Sequence, residues 1–498
     1  MPNIGLLVSD ILTEIMSHLP SAIGQKFAIA QVSRFWRNVA LDNHLFWSSF
    51  SGGPSKADCY RVPFVLERSG SAILHIQFSF TSGDVTNWHA DAMKALIPYV
   101  SRIETLKMEF WVYSNHSVSP NTVEALLNSN LDFSALQTLR LEGPEYGRRP
   151  PLLLKAPRLR TLDIERFYPK NLGALLSPCL ESIRLYKVGA TLDTLLDIFD
   201  RCPRAWRVVL DSEEGYGSYD SRYSDDYFEA FTRRRPLAPA LRELELRTAN
   251  PDLGRVLKAA FPDVVLPTLT GCLYNSDIDV LSRALLPGLG PLVFFEIFDS
   301  QQHELRDAGG HVRRLQCWNE DSSFEADWVW EFLCTHYDLH RTVREIRISQ
   351  WGDYAEMFER FPPQLPDGII LAFAASWDMP VGYPVSPEDE EDKAYMTKTM
   401  RIPGLAKVEF PGDCPQLLLK SVLDVLAHIE PPAARKVEVC IHGRKLLMAD
   451  TEKDAFDVLQ TTLVSRNCWT ICSQCMSHCA HGMNIFCGSD YFQKHLQE

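Results

Sequence analysis

LRTLDI, Leu159 to Ile164, has apolar side chains at its first, fourth and sixth positions and polar ones between. Over the last four residues the alternation is that of a half-buried strand, with Leu162 and Ile164 facing one way and Thr161 and Asp163 the other. A single such stretch is weak evidence, because any half-buried strand produces it. The same spacing returns in LQTLRL (Leu136–Leu141), LESIRL (Leu180–Leu185) and AWRVVL (Ala205–Leu210), with successive copies starting 23, 21 and 25 residues apart. Upstream it occurs at Ile73/Ile76/Phe78 and Ile103/Leu106/Met108. Downstream it occurs at Leu241/Leu244/Leu246, Leu292/Phe295/Ile297, Val312/Leu315/Cys317, Val343/Ile346/Ile348, Leu405/Val408/Phe410 and Ala434/Val437/Val439. Twelve ordered occurrences point to a repeated strand.

A period in the low twenties falls within the leucine-rich-repeat range, where each unit supplies a strand and a returning helical or irregular segment. The intervening sequence fits, since TLDTLLDIFDRCP (Thr191–Pro203) and DIDVLSRALLPGLG (Asp277–Gly290) read as amphipathic helix followed by turn. The alternation sends Arg140, Asp163 and Arg184 to the exposed strand face. The asparagine or cysteine that marks a regular repeat is largely missing, and several spacings stretch past thirty residues. The expected fold class is therefore α/β, an irregular leucine-rich-repeat-like solenoid over residues 71–465 with loop insertions. A mixed α/β domain with one large sheet stays open as the alternative.

Residues 4–50 read differently. LLVSDILTEIMSHLP (Leu6–Pro20) is helical, with Ser9 or Asp10 to cap it, Ile11, Ile15 and Leu19 at helical spacing, and Pro20 to close it. A second helix over Ala22–Val32 is expected to carry Phe27 and Ile29 inward, and Ser33 can cap a third, RFWRNVAL. HLFWSSF adds a short turn or helix, and SGGPS (Ser51–Ser55) reads as the start of a linker or first connecting helix over 51–70. So few short helices cannot bury a large core alone, so their apolar excess needs either the rest of the chain or a partner.

Leu7, Asp10, Ile11, Leu12, Ile15, Leu19 and Pro20, then Val32, Ser33, Arg34, Trp36 and Arg37, then Leu45 and Trp47, together resemble the F-box pattern. The opening Leu-Pro-x-Glu of that pattern stands here as Leu7-Val8-Ser9-Asp10. The resemblance covers about a tenth of the chain and implies docking in place of chemistry. F-box modules bind the Skp-type adaptor of cullin–RING ubiquitin ligases, and the remainder of the chain selects a substrate. Carried over to this sequence, Leu7, Ile11, Ile15, Leu19, Pro20, Val32, Trp36 and Trp47 form the expected adaptor-binding set, the two tryptophans either supporting the bundle or joining the contact. The implied partners are the adaptor, through it a cullin scaffold, and a protein target of unstated identity. The order of helices and repeats resembles the large F-box families of mushroom-forming fungi.

Bulk properties narrow the function classes further. A net charge of −14 argues against a nucleic-acid scaffold. GIILAFAASW (Gly368–Trp377) is too short to cross a membrane, and no secretory leader is apparent in the sequence, so an intracellular protein, cytoplasmic or nuclear, is expected. DSEEGYGSYDSRYSDDYFEA (Asp211–Ala230), with TRRRP (Thr232–Pro236) after it, reads as a solvated insertion, and so does SPEDEED (Ser386–Asp392). The tail from residue 466 to 498 holds Cys472, Cys475, Cys479 and Cys487 with His478 and His481 nearby. It is read as a terminal cap of reduced cysteines, with structural zinc as the alternative. No metal, cofactor or catalytic residue is expected, since the sequence holds no GxSxG, HExxH, phosphate loop or dinucleotide fingerprint. A repeat scaffold whose N-terminal helices only cap the repeats is the rival function.

Overall fold

A strand runs through each of the twelve copies of the pattern. The chain is seen here in a computed structural model. It describes residues 9–19, 21–53, 55–80, 87–110, 126–127, 130–143, 152–167, 169, 172–188, 192–212, 240–248, 266–274, 285–299, 302–318, 333–348, 365–373, 400–402, 404–411, 416–427, 429–430, 432, 436–441, 445–447, 459–463 and 469–471. The chain divides into two units, Met1–Pro262 and Asp263–Glu498.

The first unit runs α1 (Ser9–Ser17), α2 (Ile23–Ala30), α3 (Arg34–Asp42), α4 (His44–Ser48), β1 (Ser49–Gly52), α5 (Lys56–Arg68), β2 (Leu74–Phe80), α6 (Asn87–Leu96), β3 (Ile103–Phe110), β4 (Thr138–Glu142), β5 (Thr161–Glu165), β6 (Ser182–Tyr186), α7 (Leu192–Arg201), β7 (Arg207–Ser212) and β8 (Glu243–Thr248). From β1 to β8 each strand pairs with the next in the chain, always parallel. The register is set by the repeated apolar positions. Ile76, Leu106, Leu139, Leu162, Ile183, Val208 and Leu244 lie side by side across the sheet, and Phe78, Met108, Leu141, Ile164, Leu185, Leu210 and Leu246 form the next row. Both rows are buried. A one-residue slip of any strand would send its whole row to the other face, so burial of these rows fixes the register.

The outward positions carry an ion-pair lattice. Arg140 Nε lies 3.7 Å from Asp163 Oδ2, and Arg184 Nη1 lies 3.0 Å from Asp163 Oδ1 and 2.8 Å from Glu165 Oε2. Glu142 pairs with Arg140 at 3.1 Å. Two details differ from the sequence reading. Ile73 is 43% exposed and Leu74 takes the inward place beside Ile103, with a register shift before His75. The linker expected to begin at Ser51 starts inside β1, which pairs with β2 and has Phe50 buried. Gly52 allows that pairing, because a Cβ there would lie 2.5 Å from the Phe78 ring.

The second unit contains β9 (Thr268–Tyr274), β10 (Leu292–Asp299), β11 (Gln302–Asp307), β12 (Val312–Trp318), α8 (Leu339–Thr342), β13 (Glu345–Ile348), β14 (Ile369–Phe373), β15 (Met400–Arg401), β16 (Leu405–Glu409), β17 (Gln416–Leu418), α9 (Leu419–Ala427), β18 (Ile429–Glu430), β19 (Val437–Cys440), β20 (Lys445–Leu447) and β21 (Trp469–Ile471). Its main sheet has the order β9–β12–β11–β10–β13–β14–β16–β19–β21, parallel throughout except at β11. The short strands form two separate parallel pairs, β15 with β18 and β17 with β20.

The copies at Leu292 and Val312 are thus not successive parallel steps. A parallel crossover needs a dozen residues or more, whereas residues 300–301 and 308–311 are all that join β10 to β11 and β11 to β12, so this stretch folds as an antiparallel meander. Gly310, at φ +84, turns the second connection, and its N–H donates to the Asp307 carbonyl at 3.1 Å. The Asp307 carboxylate accepts from the backbone N–H groups of His311 (2.9 Å) and Gly290 (2.8 Å) and meets His311 Nδ1 at 2.9 Å. Burial pushes its pKa up, but those hydrogen bonds outweigh burial and hold it below the usual carboxylate range. Beside it Arg313 is buried and donates to the carbonyls of Leu285 (2.8 Å), Leu266 (2.9 Å) and Val312 (2.8 Å), with burial lowering its pKa to about 10.

His303 on β11 lies 5.8 Å from the Phe295 ring, buried, with neither ring nitrogen hydrogen-bonded. Burial depresses its pKa from 6.5 to about 3. Between those values the unfolded chain binds a proton that the folded chain rejects. Stability contributed by neutral His303 is therefore complete above the upper value and is lost as pH falls toward the lower one, by at most about 1.4 kcal/mol per pH unit. We expect His303→Phe to flatten the slope of urea-denaturation midpoint against pH in this window, and an unchanged slope would contradict the assignment.

Candidate docking surface on the N-terminal helices

Two of the four helices begin at side-chain caps. Ser33 Oγ accepts from Trp36 N at 3.2 Å at the start of α3, and Asn43 Oδ1 accepts from Phe46 N at 3.0 Å at the start of α4. Ser9 and Asp10 are the first two residues of α1, which ends at Ser17, three residues before Pro20. In α1 the apolar residues divide into two rows one residue apart. Leu12 and Met16 are buried, while Ile11 is 50% exposed and Ile15 is 37% exposed on the adjoining row. This helix packs on α3 and α4.

The inward side of the bundle is built around Trp47. It is buried, its indole N–H donates to the Ala40 carbonyl at 2.6 Å, and its ring meets Phe46 and Phe27 edge-on at 5.0 and 5.6 Å. Phe27 and Ile29, expected inside, are half-buried; Ile23, Lys26 and Ala30 fill the inner face of α2. The Lys26 ammonium donates to the Phe46 carbonyl and sits 4.2 Å above the Phe46 ring. Burial lowers its pKa to about 8. A lysine on the inner face was invisible to a reading that sorted residues by polarity alone. Its four methylenes fill apolar space while the carbonyl satisfies its head.

Of the expected contact set, Ile11, Ile15 and Val32 are exposed, Leu19 and Trp36 are half-buried, and Trp47 is buried, so Trp47 supports the bundle. Leu7 and Pro20 lie outside the described residues. Leu45, which belongs to the pattern but not to the expected contact set, is 73% exposed. Of ten large apolar side chains exposed among the described residues, Ile11, Ile15, Val32 and Leu45 fall in α1–α4 or the turn after α2, while Tyr60 and Phe64 form a row of their own on α5. That concentration makes this region the candidate site, because exposed apolar side chains that gather in one place, unlike scattered ones, mark interaction surfaces.

Among the described residues no group of three or more His, Cys, Asp or Glu stands together as metal ligands, and no helix is long and apolar enough to cross a membrane. The candidate zinc residues Cys472, Cys475, His478, Cys479, His481 and Cys487, and the insertions at 213–236 and 386–392, lie outside the described residues. The thiols of Cys59 and Cys202 are buried and pushed up to about 11 and about 12, which suppresses the reactive thiolate. Comparison with protein-family models finds no match, and comparison with curated proteins finds none either.

Support and surface separate cleanly by mutation. Trp47→Ala is expected to cost about 3–5 kcal/mol in chemical denaturation, whereas Leu45→Ala should stay within about 0.5 kcal/mol. Comparable losses at both positions would refute the division.

Proposed function

We propose that this chain is an F-box-type substrate receptor of a Skp–cullin ubiquitin ligase. In this reading the N-terminal helices bind the Skp-type adaptor and the strand-bearing remainder holds a protein target. The observation that carries the reading is the outward apolar row of α1, Ile11 and Ile15, on a bundle whose buried side is already filled by Leu12, Met16 and Trp47. Exposed apolar side chains on a rigid support suit the apolar, charge-depleted core of an interface. The receptor needs no reactive side chain of its own, because its contribution is to hold target near an activated carrier supplied by other subunits. Such a protein acts inside the cell.

A second reading, a repeat scaffold whose helices only cap the sheet, draws on one observation: β1 follows α4 directly and pairs with β2. Burial of the Ile11/Ile15 row against the strands would favour capping; its exposure supports docking. The full-length chain is expected to co-purify with a Skp-type adaptor. An Ile11→Asp, Ile15→Asp variant with an unchanged denaturation midpoint should lose at least about tenfold in affinity, or about 1.4 kcal/mol. A chain that fails to bind adaptor, or a variant that binds equally well, would sink the proposal.

A further inference from the structure

Helix α5 carries a row that the α1 surface does not explain. Lys56, Tyr60, Phe64 and Arg68 follow one another at i, i+4 spacing and so run along one side of the helix. Cys59, Val62, Val65 and Leu66 occupy the buried side, while Tyr60 is 64% exposed and Phe64 is 36% exposed. Pro63, also exposed, adds a rigid apolar ring beside them. The Phe64 ring is held from beneath by Phe27 at 5.4 Å and Trp47 at 6.2 Å. Lys56 Nζ lies 5.7 Å from the Tyr60 ring centroid and the Arg68 guanidinium 5.1 Å from that of Phe64.

Neither Lys56 nor Arg68 has a carboxylate partner among the described residues, since Asp58, the nearest acid in sequence to Lys56, pairs with Arg61 at 3.5 Å. Glu67 is the exposed carboxylate of this side and stands at its far end, leaving the Lys56–Tyr60 end positive. The setting reinforces that charge. Residues 1–70 hold six Lys and Arg against five Asp and Glu, so the negative excess of a chain of net charge −14 lies entirely elsewhere.

We propose that this row is a docking surface for an acidic protein segment that seats one apolar side chain between Tyr60 and Phe64. Arginine and aromatic groups held in place by packing lose little freedom on binding and make strong anchors. The backbone positions at the two ends of the row, Lys56 and Arg68, stand about 18 Å apart along the helix at 1.5 Å per residue. An extended segment of about six residues spans that distance. Two such charges are too sparse for a nucleic-acid backbone, which carries a phosphate every few ångströms. The row uses none of the α1 residues, and α5 packs on α2, α4 and α6 where α1 packs on α3 and α4. It therefore stands whether or not the ligase reading does.

The test is selection of a short randomised peptide library against the full-length chain, followed by fluorescence anisotropy of the selected peptides. Selected sequences should place Asp or Glu around a single Leu, Phe or Trp. Their affinity should fall at least about tenfold in Tyr60→Ala and in Lys56→Glu and weaken as salt rises. Both substitutions lie on the exposed side, and an unchanged denaturation midpoint shows that the fold is intact. The proposal is overturned if no selected peptide depends on Tyr60 and Lys56, if basic sequences are selected, or if an oligothymidine binds as tightly with the same dependence. Because Ile11 and Ile15 are untouched, adaptor binding in these variants reports on the ligase proposal separately.

Discussion

The first unit depends on a side-by-side stacking of aliphatic side chains across parallel strands. Leu106, Leu139, Leu162, Ile183 and Val208 are buried side by side, each beside the same position of the neighbouring strand. Burying each is worth about 1.5–3 kcal/mol, which no isolated strand can realise. Parallel pairing in turn demands a return path, and the 21 to 25 residues between copies provide it. Where the return path shrinks to a few residues, as around β11, the direction of the strand reverses.

Once the inward rows are buried, the outward rows have to be reconciled with one another. In the first unit Arg140, Asp163, Arg184 and Glu165 neutralise each other strand by strand, which keeps the sheet face soluble without leaving an isolated charge. The second unit buries polar groups more deeply. Arg313 satisfies three carbonyls and the Asp307 carboxylate gathers donors from its own turn and from Gly290, so each of these groups is costly to remove singly. His303 has no such compensation and is tolerated because neutral imidazole is stable at ordinary pH.

How far the sequence could be read follows from the same forces. The strands at 136–142 and 159–165 were legible because alternation and a fixed spacing coincide there. β9 was missed, since LPTLTG places Gly271 where the third apolar residue belongs. β14 was missed because Ile369, Leu371, Ala372 and Phe373 are all buried, and a continuous apolar run has no period to read. The meander was missed although DAGGH, a turn signal, lies between its last two strands. In the helices the shared row of Ile11 and Ile15 was legible from their spacing, but not the side to which it faces. The inward Lys26 and the exposed Leu45 were not, because both contradict the polarity of their side chains and depend on which neighbour covers them.

The proposed docking rests on a division within one helix, with Leu12 and Met16 holding the bundle and Ile11 and Ile15 left for a partner. The most direct measurement is the maleimide-labelling rate of a single Ile15→Cys thiol, against a background in which its accessible native thiols are replaced, with and without purified Skp-type adaptor. The account predicts rapid labelling of the free chain and strong protection when adaptor is present at saturating concentration. A thiol that labels slowly in the free chain, or at the same rate with adaptor bound, would contradict it.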